Sequence, residues 1–279
     1  MSLDAALQRL WYGPSWKSLP LWPLEWLFRG LVALRHGLYR RGLLQARDVG
    51  VPAVVVGNIS VGGTGKTPVA AWLARQLSLR GHKVGVVLRG YGGRASRQPR
   101  VVTADSDPAE VGDEAVLHSL RQPHVVVVGT DRVAAASRAA AEGAEVVICD
   151  DGLQHLRLAR DCEIAVADAT RGLGNGHLLP AGPLREPAGR LETVHALVVT
   201  QRSGSLGPAV VTLGPLRATM RLSLGGAANL RTGERRTLDS FQGRVVHAVA
   251  GIGYPEAFFA GLREAGVQVV AHPLADHAA

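Results

Sequence analysis

The feature that most constrains the fold of this chain is a glycine-rich segment directly after an apolar run. Residues 51–56 are almost entirely aliphatic, and residues 60–67 read Ser-Val-Gly-Gly-Thr-Gly-Lys-Thr. A strand, a glycine-rich turn and a following helix together form a phosphate-binding loop, in which backbone N–H groups point at an oligophosphate. The loop departs from the usual pattern at its head, where Ser60 stands in place of glycine. A glycine-rich strand–helix turn without a ligand is the plain alternative.

Each part of this loop has an expected role in binding a nucleoside triphosphate. Lys66 is expected to reach the β- and γ-phosphates, and the Thr67 hydroxyl is expected to bind Mg²⁺. A helix that starts near Lys66 adds the positive end of its dipole. The predicted nucleotide-binding residues are Ser60, Val61, Gly62, Gly63, Thr64, Gly65, Lys66 and Thr67.

From residue 51 onwards, short aliphatic runs alternate with helix-like segments. Strands are predicted at 51–56, 83–88, 124–128, 145–149, 163–167 and 196–200, and helices at 66–80, 113–121 and 131–142. Strands so rich in valine and isoleucine are typical of a parallel sheet that is covered on both faces. The sequence therefore predicts an α/β fold, with a mostly parallel sheet of the P-loop NTPase type and flanking helices. Ligands of such sheets bind beyond the carboxyl ends of the strands.

The chain changes character near residue 215. A polar hairpin and then a strand, a helix and a strand are predicted at 218–236, 245–250, 255–264 and 267–271. We therefore predict three units, namely an N-terminal helical segment at 1–50, a P-loop core at 51–215, and a hairpin linker with a smaller α/β domain at 216–279. The smaller domain is expected to be incomplete, because one helix and two strands bury little apolar surface by themselves.

Charge and the N-terminal pattern point to an anionic partner. The 279-residue chain has a formal net charge of +8, and it contains two cysteines that are expected to be thiols. No basic and aromatic surface for stacking single-stranded nucleic acid is evident, so no nucleic-acid partner is predicted.

No run is apolar enough to span a bilayer, and no secretory signal peptide is recognisable. Five apolar residues nevertheless recur at helical spacing beside tryptophans and arginines: Leu24, Leu27, Phe28, Leu31 and Leu34.

This N-terminal pattern has two interpretations. An amphipathic helix with tryptophans and flanking arginines is typical of a segment that lies in a membrane interface. A helix that packs on its own domain is the alternative.

Acidic residues follow one of the predicted strands. Asp150 and Asp151 come directly after the strand at 145–149. A carboxylate there can support the Mg²⁺ that Thr67 binds. Many strands end in aspartate for reasons of turn chemistry, which is the alternative.

Two further acids open a predicted helix. Asp113 and Glu114 either stabilise the positive end of that helix or place a carboxylate that takes the proton of an acceptor hydroxyl. His277 stands near the end of the sequence and in isolation is typical of a solvated side chain.

Six motifs in this order resemble the tetraacyldisaccharide 4′-kinase family, the lipid A 4′-kinases of Gram-negative bacteria. They are the loop at 60–68, Arg-Gly-Tyr-Gly at 89–92, Val-Gly-Asp-Glu at 111–114, Asp-Asp-Gly-Leu-Gln-His at 150–155, Leu-Pro-Ala-Gly-Pro-Leu-Arg-Glu-Pro at 179–187 and Ala-Gly-Ile-Gly at 250–253. The resemblance extends over the whole chain, and the loop of this family also opens with serine.

The resemblance implies an ATP- and Mg²⁺-dependent phosphorylation of a lipid. The acceptor would be the 4′-hydroxyl of a tetraacyldisaccharide 1-phosphate, at the cytoplasmic face of the bacterial inner membrane. Asp113 would be the catalytic base together with His277, while Lys66 and Arg185 would contact phosphate. The implied metal-supporting residues are Thr67, Glu114, Asp150 and Asp151.

The chain departs from the family pattern in its last residues. Tyr254 replaces an asparagine, and Ala278 and Ala279 follow His277 where the family has a second histidine and an aromatic residue. The rival interpretation is a membrane-associated ATPase switch of the partitioning type, which uses the same loop to control partner binding.

Overall fold

The structure, a computed structural model, describes residues 3–94, 98–121, 124–201, 216–252 and 255–274. The predicted site residue His277 and its neighbour Asp276 lie outside the described residues. Both cysteines are thiols, as expected, with Cys149 buried and Cys162 half-buried.

The strands and helices are numbered in chain order. The strands are β1 (Ala53–Gly57), β2 (Val84–Leu88), β3 (Arg100–Val102), β4 (Val125–Val128), β5 (Val146–Asp150), β6 (Cys162–Asp168), β7 (Ala196–Gln201), β8 (Arg217–Arg221), β9 (Ala227–Ala228), β10 (Arg235–Arg236), β11 (Val245–Ala250) and β12 (Gln268–Pro273). The helices are α1 (Leu3–Trp11), α2 (Trp22–Arg40), α3 (Lys66–Leu79), α4 (Pro108–Val111), α5 (Asp113–Leu120), α6 (Arg132–Ala141) and α7 (Pro255–Glu264), with 3₁₀ turns at Ser15–Leu21, Ala188–Glu192 and Leu238–Phe241.

Strands β1 to β8 form one sheet in the order β3-β4-β2-β5-β1-β6-β7-β8. Every neighbouring pair is parallel except β3 with β4 at one edge. Alanines of α6 pack into the core on one face of the sheet, and small residues of α3 and α5 pack on the other. The predicted α/β fold is therefore confirmed, and the six strands and three helices predicted between residues 51 and 200 are all present.

The hairpin predicted at 218–236 is partly wrong. Arg217–Arg221 forms β8, which pairs in parallel with β7 and extends the main sheet. Only β9 and β10 form an antiparallel ladder. Because an uncovered β7 would expose a row of backbone donors and acceptors, pairing with β8 satisfies them. The side chain of Met220 also packs against the core below it.

The smaller C-terminal unit consists of β11, α7 and β12, as predicted. Its two strands are parallel neighbours, and Phe259 of α7 is fully buried against them. The domain boundaries at 50 and 215 stay predictions.

Helix α2 packs on the core through one buried carboxylate. Glu25 accepts hydrogen bonds from Arg29 Nη2 (2.8 Å) and from the backbone N–H of Leu178 (3.1 Å), and its Oε2 lies 2.7 Å from His177 Nδ1. Phe28 packs against the main core from the same helix. The alternative of a helix packed on its own domain thus holds for this face of α2.

We expect Glu25→Ala to loosen helix α2. The substitution leaves the buried N–H of Leu178 without an acceptor, which costs about 1–3 kcal/mol in free energy of unfolding, measured by urea denaturation. The control is Glu142→Ala, which removes an exposed ion pair with Arg138 and costs about 0.5 kcal/mol or less. Equal losses in the two variants would contradict this assignment.

The same contact should make stability depend on acid. Burial raises the pKa of Glu25, but hydrogen bonds from Arg29, Leu178 and His177 outweigh burial, and the pKa is lower than usual. A lowered pKa in the folded state stabilises the fold above the ordinary pKa of glutamate. The stabilisation is lost as the pH falls through the lowered pKa, and it is absent from Glu25→Ala throughout that range.

Candidate active site

The glycine-rich loop joins β1 to α3, as the sequence predicts. Gly62 and Gly65 have φ values of +104° and +87°, which favour glycine. Ser60 is not among the residues with positive φ, so its position needs no glycine. Thr200 of β7 supports the loop, because its hydroxyl donates to the carbonyl of Thr64 at 2.7 Å.

A second segment pairs with the head of this loop. The backbone N–H of Val61 donates to Pro183 O (2.8 Å), and the N–H of Arg185 donates to Ile59 O (2.6 Å). Ser60 and Leu184 face each other across this short antiparallel bridge. The proline-rich motif at 179–187 therefore lies directly beside the loop. The pairing also fixes the backbone position from which the Arg185 side chain extends.

Three charged side chains meet above the loop. Lys66 Nζ lies 3.3 Å from Asp151 Oδ1, and Arg185 Nη1 lies 3.5 Å from the same oxygen. Burial raises the pKa of Asp151, but the charges of Lys66 and Arg185 outweigh burial and hold it below its usual value. Asn58 also accepts a hydrogen bond from Lys66 (3.3 Å) and donates to the carbonyl of Gly62 (3.3 Å). This arrangement holds two cations and one anion directly above the glycine-rich loop.

Helix α5 faces the first turn of α3. Thr67 Oγ1 donates to Glu114 Oε1 at 2.9 Å. Asp113 is exposed, and its Oδ1 accepts from the backbone N–H of Glu114 (2.8 Å). The cap position of α5 belongs to Gly112, whose φ is +88°. Asp113 therefore occupies the first helical position and presents its carboxylate at the sheet edge.

The two carboxylate oxygens of Asp150, at the end of β5, differ in their hydrogen bonding. Oδ2 lies 3.3 Å from Nε2 of the buried His118, while Oδ1 is buried and lacks a hydrogen-bond partner within the described residues. An unpartnered buried oxygen of this kind calls for an ion or water.

These carboxylates suit Mg²⁺ better than a metal enclosed by protein. Within the ranges that the structure describes, no three His, Cys, Asp or Glu side chains are grouped to enclose an ion. Mg²⁺ is usually held by one or two protein oxygens together with substrate phosphates and water. Thr67, Glu114 and the Oδ1 atom of Asp150 fit that donor set. Asp151 instead faces Lys66 and Arg185.

A large cleft lies over the loop and the smaller unit. It has a volume of about 810 Å³ and is lined by residues 63–68 on one side and by Leu224, Ile252 and Phe258 on the other. Such a volume is typical of a pocket for a small ligand. A polar floor that binds phosphates and an apolar wall suit a nucleotide.

A second cavity, of about 420 Å³, lies beyond the ends of β4 and β5 and is lined in part by Arg132, His155 and Arg157. Burial and the charge of Arg132 lower the pKa of His155 to about 4. Arg89 and Arg35 act in the same direction. The imidazole is therefore neutral at physiological pH. Asp131 also lines this cavity and pairs with Arg157 at 2.8 Å, so the positive charge that suits an anion comes mainly from Arg132.

Several residues of the site were missed by sequence reasoning. Asn58, Arg132 and His118 are all buried and lie at the site. A signal existed for the first two, because each follows a predicted strand at the edge where the other motifs cluster. No signal pointed to His118, which the helix pattern treats as an ordinary position.

The comparisons agree with these motifs. A family model described as tetraacyldisaccharide-1-P 4′-kinase, LpxK, matches residues 17–279. The tetraacyldisaccharide 4′-kinase of Alkalilimnicola ehrlichii is 49% identical over 95% of this chain and 77% of its own length. That of Halorhodospira halophila is 47% identical, over 96% and 78%. The chain belongs to the tetraacyldisaccharide 4′-kinase family.

A solved structure of the family shares the fold. The Aquifex aeolicus LpxK structure described as an "apo" form in complex with ATP matches with a TM-score of 0.76 and 30% identity, over 94% of this chain and 82% of that one. The family match favours the kinase over the rival ATPase switch. The roles of individual site residues rest on the geometry above.

We expect Gly65→Ala to weaken ATP binding. Besides the strain of a side chain at φ +87°, its Cβ would lie 3.0 Å from Thr200 Cγ2, so the loop or the Thr200 side chain must give by a few tenths of an ångström. Backbone strain of this kind costs about 1–3 kcal/mol, and a loss of about 1.4 kcal/mol in binding free energy lowers an affinity tenfold. We therefore expect an at least ~10-fold loss of ATP affinity, measured by calorimetry.

Gly81→Ala is the matched control. Gly81 follows the other end of α3 with φ +90°, but a Cβ there meets nothing within 4 Å. It should lower stability while leaving ATP affinity unchanged. Equal ATP affinity in the two variants would show that the loop tolerates the added methyl group.

Proposed function

We propose that this chain transfers the γ-phosphoryl group of ATP to the 4′-hydroxyl of a tetraacyldisaccharide 1-phosphate. The observation that supports this proposal most strongly is a group of charges above the phosphate-binding loop. Lys66 Nζ and Arg185 Nη1 lie 3.3 and 3.5 Å from the same oxygen of Asp151. Phosphoryl transfer needs in-line positioning and neutralisation of charge, and Lys66 and Arg185, oriented by Asp151, supply two positive charges for the second requirement.

The proposed reaction assigns one task to each group. The 4′-oxygen forms a bond to the γ-phosphorus while the bond from that phosphorus to the β–γ bridging oxygen breaks, and ADP leaves. Asp113 takes the hydroxyl proton, since its exposed carboxylate lies at the same sheet edge as the loop. Lys66 and Arg185 offset the negative charge on the transferring group. His277 is assigned to the base by resemblance, and its role stays a prediction.

Thr67, Glu114 and Asp150 would hold Mg²⁺. When bound, the ion neutralises phosphate charge and supports the leaving group. Glu114 accepts from the Thr67 hydroxyl at 2.9 Å, which fixes the orientation of that hydroxyl.

The second, positive cavity suits the phosphate that the acceptor already carries. Arg132 follows β4 and His155 follows β5, the neighbour of β1, and the charge of Asp151 acts on His155, so an acceptor phosphate bound there would lie near Asp151. Arg132 is only 3% exposed, and such a buried guanidinium is a strong partner for phosphate. The neutral imidazole of His155 adds a hydrogen-bonding group that does not repel the arginines.

The exposed face of α2 suits the membrane in which the acyl chains of such a substrate lie. Five large apolar side chains of this helix are 54–69% exposed: Leu24, Trp26, Leu27, Leu31 and Leu34. An exposed apolar row of this size is suited to insertion into a bilayer interface. The exposed arginines beside it and the net charge of +8 favour a bilayer with anionic lipids. No helix in the described part of the chain is long and apolar enough to cross a membrane. We infer peripheral binding at the cytoplasmic face of the inner membrane.

The reaction is tested by transfer of labelled γ-phosphate from ATP to tetraacyldisaccharide 1-phosphate in detergent micelles. Labelled lipid is expected from the unaltered chain, and its absence would overturn the proposed function. Asp113→Ala should lower turnover at least ~10²-fold at unchanged ATP affinity, because a general base is lost. Asp105→Ala, which removes another exposed carboxylate, should behave as the unaltered chain. Near-normal turnover of Asp113→Ala would rule out Asp113 as the base.

Membrane binding is tested by co-sedimentation with vesicles of phosphatidylglycerol and phosphatidylethanolamine. The double variant Leu27→Ser, Leu31→Ser should have a membrane partition coefficient at least ~10-fold lower, since each leucine buried in the bilayer contributes about 1.5–3 kcal/mol to the binding free energy. Leu230→Ser is the control, because Leu230 is fully exposed in the β9–β10 turn. Unchanged binding of the double variant would exclude this face as the docking surface.

A further inference from the structure

Helix α5 contacts two of the metal-supporting groups with residues that are one turn apart. Glu114 and His118 are separated by four positions, so they lie on the same face of the helix. Glu114 accepts from the Thr67 hydroxyl at 2.9 Å, and His118 Nε2 lies 3.3 Å from Asp150 Oδ2. One helical face therefore reaches both the first turn of α3 and the end of β5.

The His118–Asp150 contact is shielded from water. Their side chains are 1% and 3% exposed. A carboxylate oxygen accepts hydrogen bonds, so in the tautomer with the proton on Nε2 the imidazole of His118 donates to Oδ2. The other oxygen of Asp150 is buried and has no hydrogen-bond partner among the described residues. A carboxylate fixed through one oxygen and unsatisfied at the other is arranged to hold something further.

The start of α5 is itself fixed against the neighbouring loop. A Cβ on Gly112 would lie 2.5 Å from the carbonyl oxygen of Tyr91, so only glycine permits this approach. Ala115 of the same helix is 1% exposed in the core. The helix is therefore a rigid support from which His118 can orient a neighbouring carboxylate.

We propose that His118 is a positioning residue that holds Asp150 through Oδ2 and leaves Oδ1 for the magnesium ion of the ATP complex. The proposal rests on the proposed use of Mg²⁺ and ATP. His118 is 1% exposed and lines neither of the two cavities described, so its action would pass through Asp150. Such outer contacts to metal-supporting carboxylates typically change metal affinity 10–100-fold.

The test measures metal binding without the lipid acceptor. Mn²⁺ is titrated into the full chain with saturating ATP and followed by electron paramagnetic resonance, with ATP affinity in EDTA measured by calorimetry. His118→Leu removes the donor and should weaken Mn²⁺ binding about 10–100-fold, with ATP affinity in EDTA unchanged. His118→Gln can place an amide N–H near the position of Nε2 and should stay within ~3-fold of the unaltered chain.

Two further variants keep the test decisive. If His118→Leu does not fold, His118→Asn replaces it, because its shorter amide falls near Nδ1 and cannot reach Asp150 in the same way. Glu163→Gln, which removes a buried carboxylate paired with Arg160 and Arg190, is the control for stability loss alone.

Retained Mn²⁺ affinity in a folded His118→Leu or His118→Asn protein overturns the proposal, as does an equal loss in His118→Gln. Failure of phosphate transfer to lipid with normal Mn²⁺ binding would instead count against the proposed function.

Discussion

The pairing of residues 59–61 with residues 183–185 is the contact on which the rest of the site depends. Two backbone hydrogen bonds join a loop after β1 to a segment more than 120 positions later in the chain. The pairing brings Arg185 to Asp151, which also holds Lys66. A carboxylate between two cations keeps them from repelling each other, and its lowered pKa keeps it ionised. The charges that we propose for phosphoryl transfer are thus brought together by backbone geometry.

The topology of the sheet divides the site into two sides. Strands β1 and β5 are central neighbours, so the loop after β1 lies beside the aspartates at the end of β5, and that loop lines the large cleft. The large cleft extends towards β7 and β8 and the smaller unit, while the positive cavity lies beyond β4 and β5. The two cavities therefore lie towards different edges of the sheet. Helix α2 also contacts this region, because His36 Nε2 lies 3.1 Å from Oε2 of the buried Glu186 next to Arg185.

Much of the fold could be predicted because its signals are local. Aliphatic runs marked the buried parallel strands, and Gly-Lys-Thr marked the start of α3. The error at Arg217–Arg221 has a physical reason, since an edge strand with exposed side chains has the composition of a polar hairpin. This segment joins the main sheet because it pairs with the backbone N–H and C=O groups of β7. No sequence pattern shows whether such groups have a partner strand.

By itself, the sequence determined the fold class, the phosphate-binding loop, the family and the set of acids at one sheet edge, because each depends on residues close together in the chain. The tertiary structure decided which face of α2 is buried, since that depends on Glu25 meeting His177 across the fold. It also decided that Asp151 faces Lys66 and Arg185, whereas Asp150 faces His118. Two adjacent carboxylates differ in role because successive residues at the end of a strand point in different directions, and only packing determines what each one meets.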